Sequence, residues 1–388
     1  MLERSANGSV CEKSAASEIA GVRVKRLVVS NFRNYASLEL HLPADKNCVV
    51  LHGANGCGKT NLLEAVSFLT AGRGLRNVRL DDVAARGNPE ALWSISAIIA
   101  KGAETFAIGT GKTAKDAAER RRRVRIDGEE CKNQTELAAL TPMVWLTPSM
   151  DRLFCAEASS RRRFFDRLCH CFDARHAAHC TTYANALRQY NKLRQDGSND
   201  ADWLKALEST MARSGALIFA ARERVLDLLN AQLNSDVDGF PRAAVSLTQG
   251  VDEDGLRRLF AKARENGDSL RFAPHLSDLI VENVDKSMPA ALCSTGEQKA
   301  LLITILLAHL KAVAKHAGVL PMLLLDEAGA HLDEDRRNRF FEYLKTPDTQ
   351  IWLTGTRAES FSVLKDAAHF CPVEDFFNAE PFISAAAS

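Results

Sequence analysis

The chain has 388 residues, of which 46% are hydrophobic and 26% are charged. This length exceeds the usual size of one domain, and the composition is that of a globular protein with a substantial core. The formal net charge of +1 excludes a uniformly basic nucleic-acid-binding protein, so any surface for DNA or RNA has to be a local patch. The sequence contains no apolar run of about 18 residues, the length that a membrane span requires.

The N-terminus and the cysteines indicate where the protein works. Residues 1–20 are small and polar and lack the apolar segment of a secretory signal, which predicts a disordered tail. Ten cysteines are spread along the chain, and one of them lies inside a glycine-rich loop. This distribution favours reduced thiols over a disulfide framework. It predicts a cytoplasmic protein, without a membrane partner.

The first structured segment predicts strands that lead into a loop. Residues 21–42 read as two strands, and residues 48–52 read as a short buried strand. The next residues fit the phosphate-binding pattern G-x-x-x-x-G-K-[ST] at each fixed position, and an amphipathic helix follows them. These loop residues are Gly53, Ala54, Asn55, Gly56, Cys57, Gly58, Lys59 and Thr60.

This loop predicts a nucleoside triphosphate site. Its glycines allow backbone angles that turn N–H groups toward a phosphate, and the helix N-terminus adds partial positive charge. We expect Lys59 to reach the β- and γ-phosphates and the Thr60 hydroxyl to ligate Mg²⁺. A glycine-rich turn can match the pattern by chance, but the order of strand, loop and helix disfavours that alternative.

Strands and basic clusters follow. The predicted strands are at residues 91–99, 105–109 and 144–146. Asp127-Gly128 predicts a hairpin turn. Arg73 and Arg76 lie in a loop, and residues 120–123 are four consecutive arginines. These basic residues either contact nucleic-acid phosphates or form a solvated face, which is the commoner role of a charge run.

From about residue 150 the apolar period becomes helical. One long helical stretch begins near Arg161-Arg162-Arg163 and continues to Leu193, and a second covers residues 203–233. A further helix is predicted at residues 256–266, after a possible strand at 244–247. We therefore take residues 146–290 as a mainly helical insertion into an α/β domain.

A group of cysteines and histidines in this insertion raises the question of a metal site. The group comprises Cys169, His170, Cys171, His176, His179 and Cys180. In a helix, Cys169 and Cys171 would point to different faces, whereas His176 and Cys180 can share one. Core cysteines and surface histidines are the favoured interpretation, and a metal site is the alternative.

Acidic residues follow an apolar strand near the C-terminus. Residues 321–325 are an uninterrupted apolar run, as in a strand buried on both faces of a parallel sheet, and Asp326 and Glu327 follow it. Ligands bind beyond the carboxyl ends of such strands. We expect Asp326 to hold Mg²⁺ and Glu327 to orient or deprotonate the attacking water. A helix at 334–344 and another buried strand at 350–356 follow, the strand ending in threonines that can sense a γ-phosphate.

The order of these segments resembles the ATPase head of the ABC family. That family has a phosphate loop, a signature Ser-x-Gly-x-Gln, an apolar strand ending in Asp-Glu and a D-loop, in this order. The matching residues here are Ser294, Gly296 and Gln298 of the signature and Asp333 of the D-loop. Ser294 and Glu297 also have the spacing of a helix-capping box.

Two further segments are similar to the RecF family within this group. They are Asn31-Phe32-Arg33-Asn34-Tyr35 and Arg161-Arg162-Arg163-Phe164-Phe165-Asp166. A departure occurs at residues 273–278, where RecF proteins commonly carry an arginine that this chain lacks. The resemblance implies an α/β fold: an ABC-type P-loop ATPase head with a mixed sheet (lobe I, residues 21–145 and 291–388) and an inserted, mainly helical lobe II (residues 146–290).

The resemblance also implies a function. RecF-like proteins form an ATP-dependent homodimer that binds single-stranded and gapped DNA at junctions with duplex. With RecO and RecR they help to load RecA in recombinational repair, replication restart and the SOS response. Their ATP hydrolysis is weak and serves as a switch. In such a dimer, Ser294, Gly296 and Gln298 contact the ATP of the partner subunit.

Two other classes explain the sequence less well. The ATPase subunit of an ABC transporter normally has a histidine after its last strand, where this chain has Thr354 and Thr356. A small-molecule P-loop kinase explains neither the signature nor the long insertion. Both alternatives rest on analogy of fold alone.

Overall fold

The computed structural model describes residues 20–85, 92–113, 122–131, 134–197, 200–233, 239–248 and 250–378. The predicted N-terminal tail lies outside the described residues except for Ala20, as do Arg120 and Arg121 of the arginine run. Within the described ranges, no helix is both long and apolar enough to cross a membrane.

The described residues form nine α-helices and fifteen strands. The helices are α1 (Lys59–Ser67), α2 (Gln134–Leu140), α3 (Ala158–His170), α4 (His176–Gln195), α5 (Ala201–Leu233), α6 (Glu253–Asn266), α7 (Thr295–His316), α8 (Glu334–Leu344) and α9 (Asp375–Asn378). The strands are β1 (Ala20–Phe32), β2 (Tyr35–His41), β3 (Cys48–His52), β4 (Trp93–Lys101), β5 (Glu104–Lys112), β6 (Arg123–Ile126), β7 (Glu129–Glu130), β8 (Met143–Leu146), β9 (Ala243–Leu247), β10 (Leu279–Asn283), β11 (Met288–Pro289), β12 (Val319–Leu320), β13 (Met322–Leu325), β14 (Ile351–Gly355) and β15 (Ala368–Pro372).

A parallel sheet in the order β15-β3-β14-β13-β8 positions the candidate site. Its inner strands are apolar on both faces because both faces are covered, as the uninterrupted apolar runs predict. In the register of the sheet, Leu353 of β14 pairs with Val50 of β3 and with Leu325 of β13. The carboxyl ends of these three strands therefore lie side by side, and the segments that follow them meet at one edge.

A second sheet is mostly antiparallel and has the order β12-β1-β4-β5-β6-β7, with β2 paired to β1. The predicted hairpin between β6 and β7 is confirmed. Its turn residues Asp127 and Gly128 have φ of 51° and 86°, as a two-residue turn of the favoured hand requires. This sheet packs over α1 and thus supports the loop that precedes that helix.

The helical segment differs from its prediction at one point. The expected continuous helix is two helices, α3 and α4, because Asp173 interrupts the pattern. Its carboxylate accepts the Arg175 N–H at 2.9 Å, and its carbonyl accepts the His176 N–H at 3.0 Å. Side-chain bonds of this kind compete with the helical pattern and favour a turn. The predicted strand near residue 245 is confirmed as β9, which pairs with β10.

The helical segment has a core of its own only in part. Helices α4 and α6 and the first half of α5 enclose one cluster, with Tyr190, Phe219 and Phe260 buried in it. In contrast, α3 and the second half of α5 contribute Phe164 and Val225 to the cluster on one face of the parallel sheet. The division into lobes at residue 146 stays a prediction, but the two parts share a hydrophobic core.

A buried ion pair joins the helices of this segment. Arg222 of α5 donates to both carboxylate oxygens of Asp166 on α3, at 2.8 and 2.9 Å. The third nitrogen of its guanidinium, Nη1, donates to the Pro274 carbonyl at 2.9 Å. His176 of α4 lies 2.9 Å from the same carboxylate. Burial opposes ionisation of Asp166, but Arg222 and His176 outweigh it and hold the pKa of Asp166 well below its ordinary value.

The same residues bear on the metal alternative. Ligand atoms of Asp166, His176 and Cys180 lie within 4.8 Å of one another. However, both oxygens of Asp166 already bind Arg222, whose positive charge disfavours a cation there. Burial also raises the pKa of the Cys180 thiol, which disfavours the thiolate that a metal requires. We interpret the group as an ion pair within the core. The expectation of surface histidines is wrong for His176, which is fully buried.

We expect Arg222→Met to lower the free energy of unfolding at pH 7 by about 3–5 kcal/mol, since it leaves a buried carboxylate without its partner. Because the folded pKa of Asp166 is depressed, the ion pair contributes fully above the unfolded pKa of about 3.9, and its contribution is lost as pH falls further. The difference in the free energy of unfolding between wild type and variant should therefore become smaller below about pH 4. Urea unfolding at pH 7 and pH 3.5 measures it. Exposed Arg258→Met is the control, and an equal loss in both variants would contradict the prediction.

Candidate nucleotide-binding site

The loop between β3 and α1 has the backbone that a phosphate-binding loop needs. Gly58 has φ of 110°, and a Cβ atom there would lie 2.5 Å from Asn34 Nδ2 and 2.8 Å from Tyr35 Oη. The loop packs tightly against the β1–β2 turn, and Tyr35 donates a hydrogen bond to the Gly58 carbonyl at 3.1 Å. Because α1 begins at Lys59, its first N–H groups have no carbonyl partner within the helix and suit an anion.

Lys59 is buried, and its ammonium group is held over the loop. Its Nζ donates to the Gly53 carbonyl at 2.7 Å and to the Ala54 carbonyl at 2.8 Å. The lysine thus spans the loop from its last residues to its first. A phosphate enclosed by the loop would meet a positive charge that is already in place.

Thr60, Asp326, Thr354 and Glu327 are joined in one chain of hydrogen bonds. The Thr60 hydroxyl lies 3.0 and 3.1 Å from the two oxygens of Asp326. Thr354, at the end of β14, donates to Asp326 Oδ1 at 2.7 Å and accepts the Glu327 N–H at 2.9 Å. The structure therefore brings the Asp326 carboxylate and the Glu327 backbone to the Thr60 hydroxyl, from which the sequence separates them by more than half of the chain.

The arrangement of Thr60 and Asp326 fits a magnesium ion. Mg²⁺ binds oxygen ligands at about 2.0–2.1 Å in an octahedron, so two neighbouring ligands lie about 3 Å apart. The Thr60 hydroxyl and the Asp326 carboxylate have this separation. A bound ion would be completed by phosphate oxygens and water, as is usual for Mg²⁺.

Glu327 has the features expected of the catalytic base. Its φ of 50° is uncommon for a residue other than glycine and marks a position where the surroundings impose the conformation. It is partly exposed, and no side chain of the described ranges hydrogen-bonds to its carboxylate. A carboxylate fixed by its backbone but free at its oxygens can orient a water molecule.

Two residues that the sequence analysis did not single out also hold this edge of the sheet. Lys299 is buried and donates to Asp151 at 3.2 Å and to the Glu327 carbonyl at 3.1 Å. Asp151 in turn lies 3.1 Å from His331 Nδ1. Burial lowers the pKa of Lys299, although Asp151 opposes the change. Asp151 lies in the segment that follows β8, five residues after the strand ends, whereas Asp326 follows β13 directly.

The signature segment lies at the start of α7. Ser294 caps this helix by accepting the Glu297 N–H at 3.4 Å, and Glu297 accepts the Ser294 N–H at 2.9 Å, which confirms the predicted capping box. Ser294 is exposed. A Cβ atom on Gly296 would come within 3.4 Å of the His331 carbonyl. Neither Ser294 nor Gly296 contacts the phosphate loop of its own chain among the described hydrogen bonds.

The other two predicted residues of this group have partners in their own chain. Gln298 is buried, and its amide donates to the Cys293 carbonyl at 2.9 Å and contacts Cys155 Sγ at 3.3 Å. Its amide is thus engaged within its own chain, and the contact of Gln298 with the ATP of a partner subunit stays a prediction. Its physical role is to fasten the first turn of α7. Asp333 caps α8 by accepting the Arg336 N–H at 2.8 Å.

The arginine run at residues 120–123 includes a residue that is not a surface cation. Arg122 is buried and donates to the carbonyls of Phe68 and Thr70 and, at 3.0 Å, to the Thr110 hydroxyl. Its guanidinium also lies 5.2 Å from the centre of the Phe68 ring, and burial lowers the pKa of Arg122 to about 10. Both alternatives for residues 120–123, a contact with nucleic-acid phosphates and a solvated face, are therefore wrong for Arg122, which instead fixes the end of the first helix.

The three arginines of α3 also differ in whether their guanidinium groups bind partners elsewhere in the chain. Arg161 binds both oxygens of Asp278, at 2.8 and 2.6 Å, and Arg162 donates to the Ser277 carbonyl at 3.0 Å. Arg163 is exposed, and within the described part of the chain its guanidinium donates to Ser160 of the same helix at 2.9 Å. Of this cluster, Arg163 remains a candidate for a phosphate contact.

The remaining basic candidates lie beside α1. Arg76 donates to Glu64, which is completely buried and also bound by Arg33 at 2.8 Å. Two guanidinium groups thus neutralise one buried carboxylate, and Arg76 has a structural partner. Arg73 is exposed and, among the described residues, is a candidate for contact with DNA together with Arg163.

Known proteins match this chain over nearly its whole length. The model of the family described as RecF/RecN/SMC N terminal domain matches residues 23–375. A protein of Mesorhizobium japonicum named DNA replication and repair protein RecF is 41% identical over 372 residues, covering 92% of this chain and 97% of that protein. A protein of Brucella suis with the same name is 43% identical over 370 residues, covering 90% and 94%.

A solved structure shares the fold. It is described as the recombination mediator protein RecF with ATPrS in the RecFOR pathway, and it matches with a TM-score of 0.76 at 18% identity, covering 92% of this chain and 98% of that one. At this identity the likeness shows that the two proteins share the α/β fold.

Proposed function

Because this chain belongs to the RecF family of DNA replication and repair proteins, we propose that it is an ATP-dependent DNA-binding protein of recombinational repair. The observation that carries the proposal is the hydrogen-bonded chain from Thr60 through Asp326 and Thr354 to Glu327. It joins the phosphate loop to the residues that act on the γ-phosphate. The alternative of a transporter subunit is not supported, since the two relatives described above, which cover 92% and 90% of the chain, are named as repair proteins.

In this proposal the loop at residues 53–60 binds ATP. Its backbone N–H groups and Lys59 hold the β- and γ-phosphates, and Thr60 and Asp326 hold Mg²⁺, which neutralises phosphate charge when bound. Glu327 orients a water molecule toward the γ-phosphate and accepts its proton. Hydrolysis is weak and resets the complex, so ATP acts as a switch.

We further propose that ATP joins two copies of the chain. Ser294 and Gly296 lie at an exposed helix N-terminus, which suits a γ-phosphate. In the dimer each signature contacts the ATP on the partner. Two subunits together would also bring the candidate arginines of both chains, Arg73 and Arg163, onto one surface. A single chain of net charge +1 has little excess positive charge with which to bind DNA by itself.

The proposed partners follow from the family. They are single-stranded and gapped DNA, RecO and RecR, and through them RecA, all in the cytoplasm. Contacts to phosphates position a protein on DNA without reading its sequence. The interaction should therefore depend on salt and on DNA structure more than on base sequence.

Retention of DNA with and without ATP tests this function. We expect gapped duplex DNA to be bound at least about tenfold more tightly with ATP than without it, with the affinity falling steeply between 50 and 200 mM salt. Blunt duplex of equal length is the substrate control. Lys59→Ala is the protein control, because it removes the charge that the loop holds over the phosphates. DNA binding that is equal with and without ATP in the wild type would refute the proposed switch.

A further inference from the structure

A C-terminal strap, residues 373–377, lies against the phosphate loop. It continues from β15, whose Pro372 pairs with His52 at the end of β3. Because the two strands are parallel neighbours, the strap and the loop leave the sheet at the same edge. The Val373 N–H donates to the His52 carbonyl at 2.9 Å, which fixes the strap where the loop begins.

On one side of the loop, the strap acts through Glu374. Its Oε1 accepts the Ala54 N–H at 2.6 Å. The carbonyl of the same peptide group belongs to Gly53 and accepts Lys59 Nζ at 2.7 Å. One peptide plane thus lies between a carboxylate at its N–H and an ammonium at its C=O. Hydrogen bonds in series polarise and strengthen one another, so the two charges together fix the orientation of this peptide.

On the other side of the loop, the strap acts through Phe377. Its ring stacks on Tyr35 with 5.2 Å between the ring centres and 19° between the planes. Tyr35 donates to the Gly58 carbonyl at 3.1 Å, and burial raises the pKa of Tyr35, so the hydroxyl keeps the proton it donates. The strap therefore supports both ends of the loop, at Ala54 directly and at Gly58 through Tyr35.

We propose that the strap holds the phosphate loop in its binding conformation before a nucleotide arrives, with Glu374 as a positioning residue. If the loop is already ordered, less free energy is lost to ordering it when the phosphates bind, and the nucleotide binds more tightly. The inference rests on the proposed function, in which this loop binds ATP. Because the loop encloses phosphates that ADP and ATP share, loss of Glu374 weakens the binding of both nucleotides by the same factor. A residue that acts at the γ-phosphate, such as Glu327, does not affect the binding of both nucleotides in this way, because ADP lacks that phosphate.

Calorimetric titration of the full chain with Mg-ATP and with Mg-ADP tests the proposal. For Glu374→Ala we expect both dissociation constants to rise about fivefold to tenfold, since a charge-assisted bond in a partly exposed place is lost. Glu374→Gln restores binding to within about threefold of wild type, because its amide oxygen accepts the same N–H. The neighbouring Asp375→Ala is the matched control and binds both nucleotides as wild type does. Thermal unfolding of each variant shows that the chain remains folded.

The outcomes separate this proposal from the function on which it rests. Glu374→Ala binding both nucleotides within twofold of wild type overturns the role of the strap and leaves the ATP site intact. A loss for ATP alone, or a Glu374→Gln variant as weak as Glu374→Ala, also overturns it. A wild-type chain that binds neither nucleotide overturns the proposed function itself. Lys59→Ala, tested alongside, identifies the loop as the place of binding.

Discussion

Glu327→Gln is expected to bind ATP as tightly as the wild type and to hydrolyse it about 10²–10⁴-fold more slowly, since a positioned general base contributes about that factor. The substitution keeps the shape of the side chain and removes its basicity. It also leaves the bond from the Glu327 N–H to Thr354 in place, so the uncommon backbone of this residue should persist. Single-turnover release of phosphate, together with calorimetric ATP binding, measures the two effects separately.

Asp326→Asn is the informative comparison for this variant. It weakens the ligand that Thr60 and Thr354 hold in place, so we expect it to reduce Mg-dependent nucleotide binding itself. Glu327→Gln should instead accumulate in the ATP-bound form. If its turnover stays within twofold of wild type, Glu327 is not the base, whatever its position beside Asp326.

Ser294→Arg is expected to abolish the ATP-dependent dimer while leaving ATP binding by one chain near normal. Ser294 is exposed at the start of α7 and makes no hydrogen bond to its own phosphate loop, so the change does not touch the nucleotide site in its own chain. In the proposed dimer it places a large cation against the ATP of the partner. Sedimentation with and without ATP measures assembly, and DNA affinity should fall with it.

The capping role of Ser294 requires a control. Loss of an N-cap costs about 1 kcal/mol, and Ser294→Ala has this cost without the added bulk. We expect Ser294→Ala to retain most of the dimer and Ser294→Arg to retain none. A Ser294→Arg protein that still dimerises with ATP contradicts the signature assignment. A monomeric variant that binds DNA as tightly as wild type contradicts a clamp made of two subunits.

Local patterns predicted much of the fold. The bounds of α8 and the turn at Asp127-Gly128 were predicted correctly, because the sequence signals for a helix end and for a two-residue turn lie in neighbouring residues. The buried strand β13 followed from its uninterrupted apolar run. From these strands, the rule that ligands bind at the carboxyl ends of a parallel sheet predicted that Asp326 would lie beside Thr60, and the structure confirms this.

Features that depend on distant partners were not predictable. Arg122 reads as part of a solvated charge run, and only the packing of Phe68 and Thr70 around it shows that it is buried. Gln298 fits the signature pattern, yet its amide contacts the Sγ atom of Cys155, 143 residues earlier in the same chain. Glu374 carries no sequence signal, since its importance comes from the pairing of β15 with β3. In each case the contact that decides the residue's role joins segments far apart in the sequence, and helix or strand periodicity gives no sign of it.

The parallel sheet has a consequence for synthesis of the protein. Strand β3 leads into the phosphate loop, but its two neighbours in the sheet are β14 and β15, which are among the last strands to be translated. At about 5–20 residues per second, the roughly 300 residues between them take a ribosome about 15–60 s. During that time β3 lacks both of its native neighbours in the sheet. Unpaired strand edges of this kind are prone to aggregation, which chaperones counteract. The protein therefore acquires its nucleotide site only near the end of translation, and messages truncated before β14 yield chains without one.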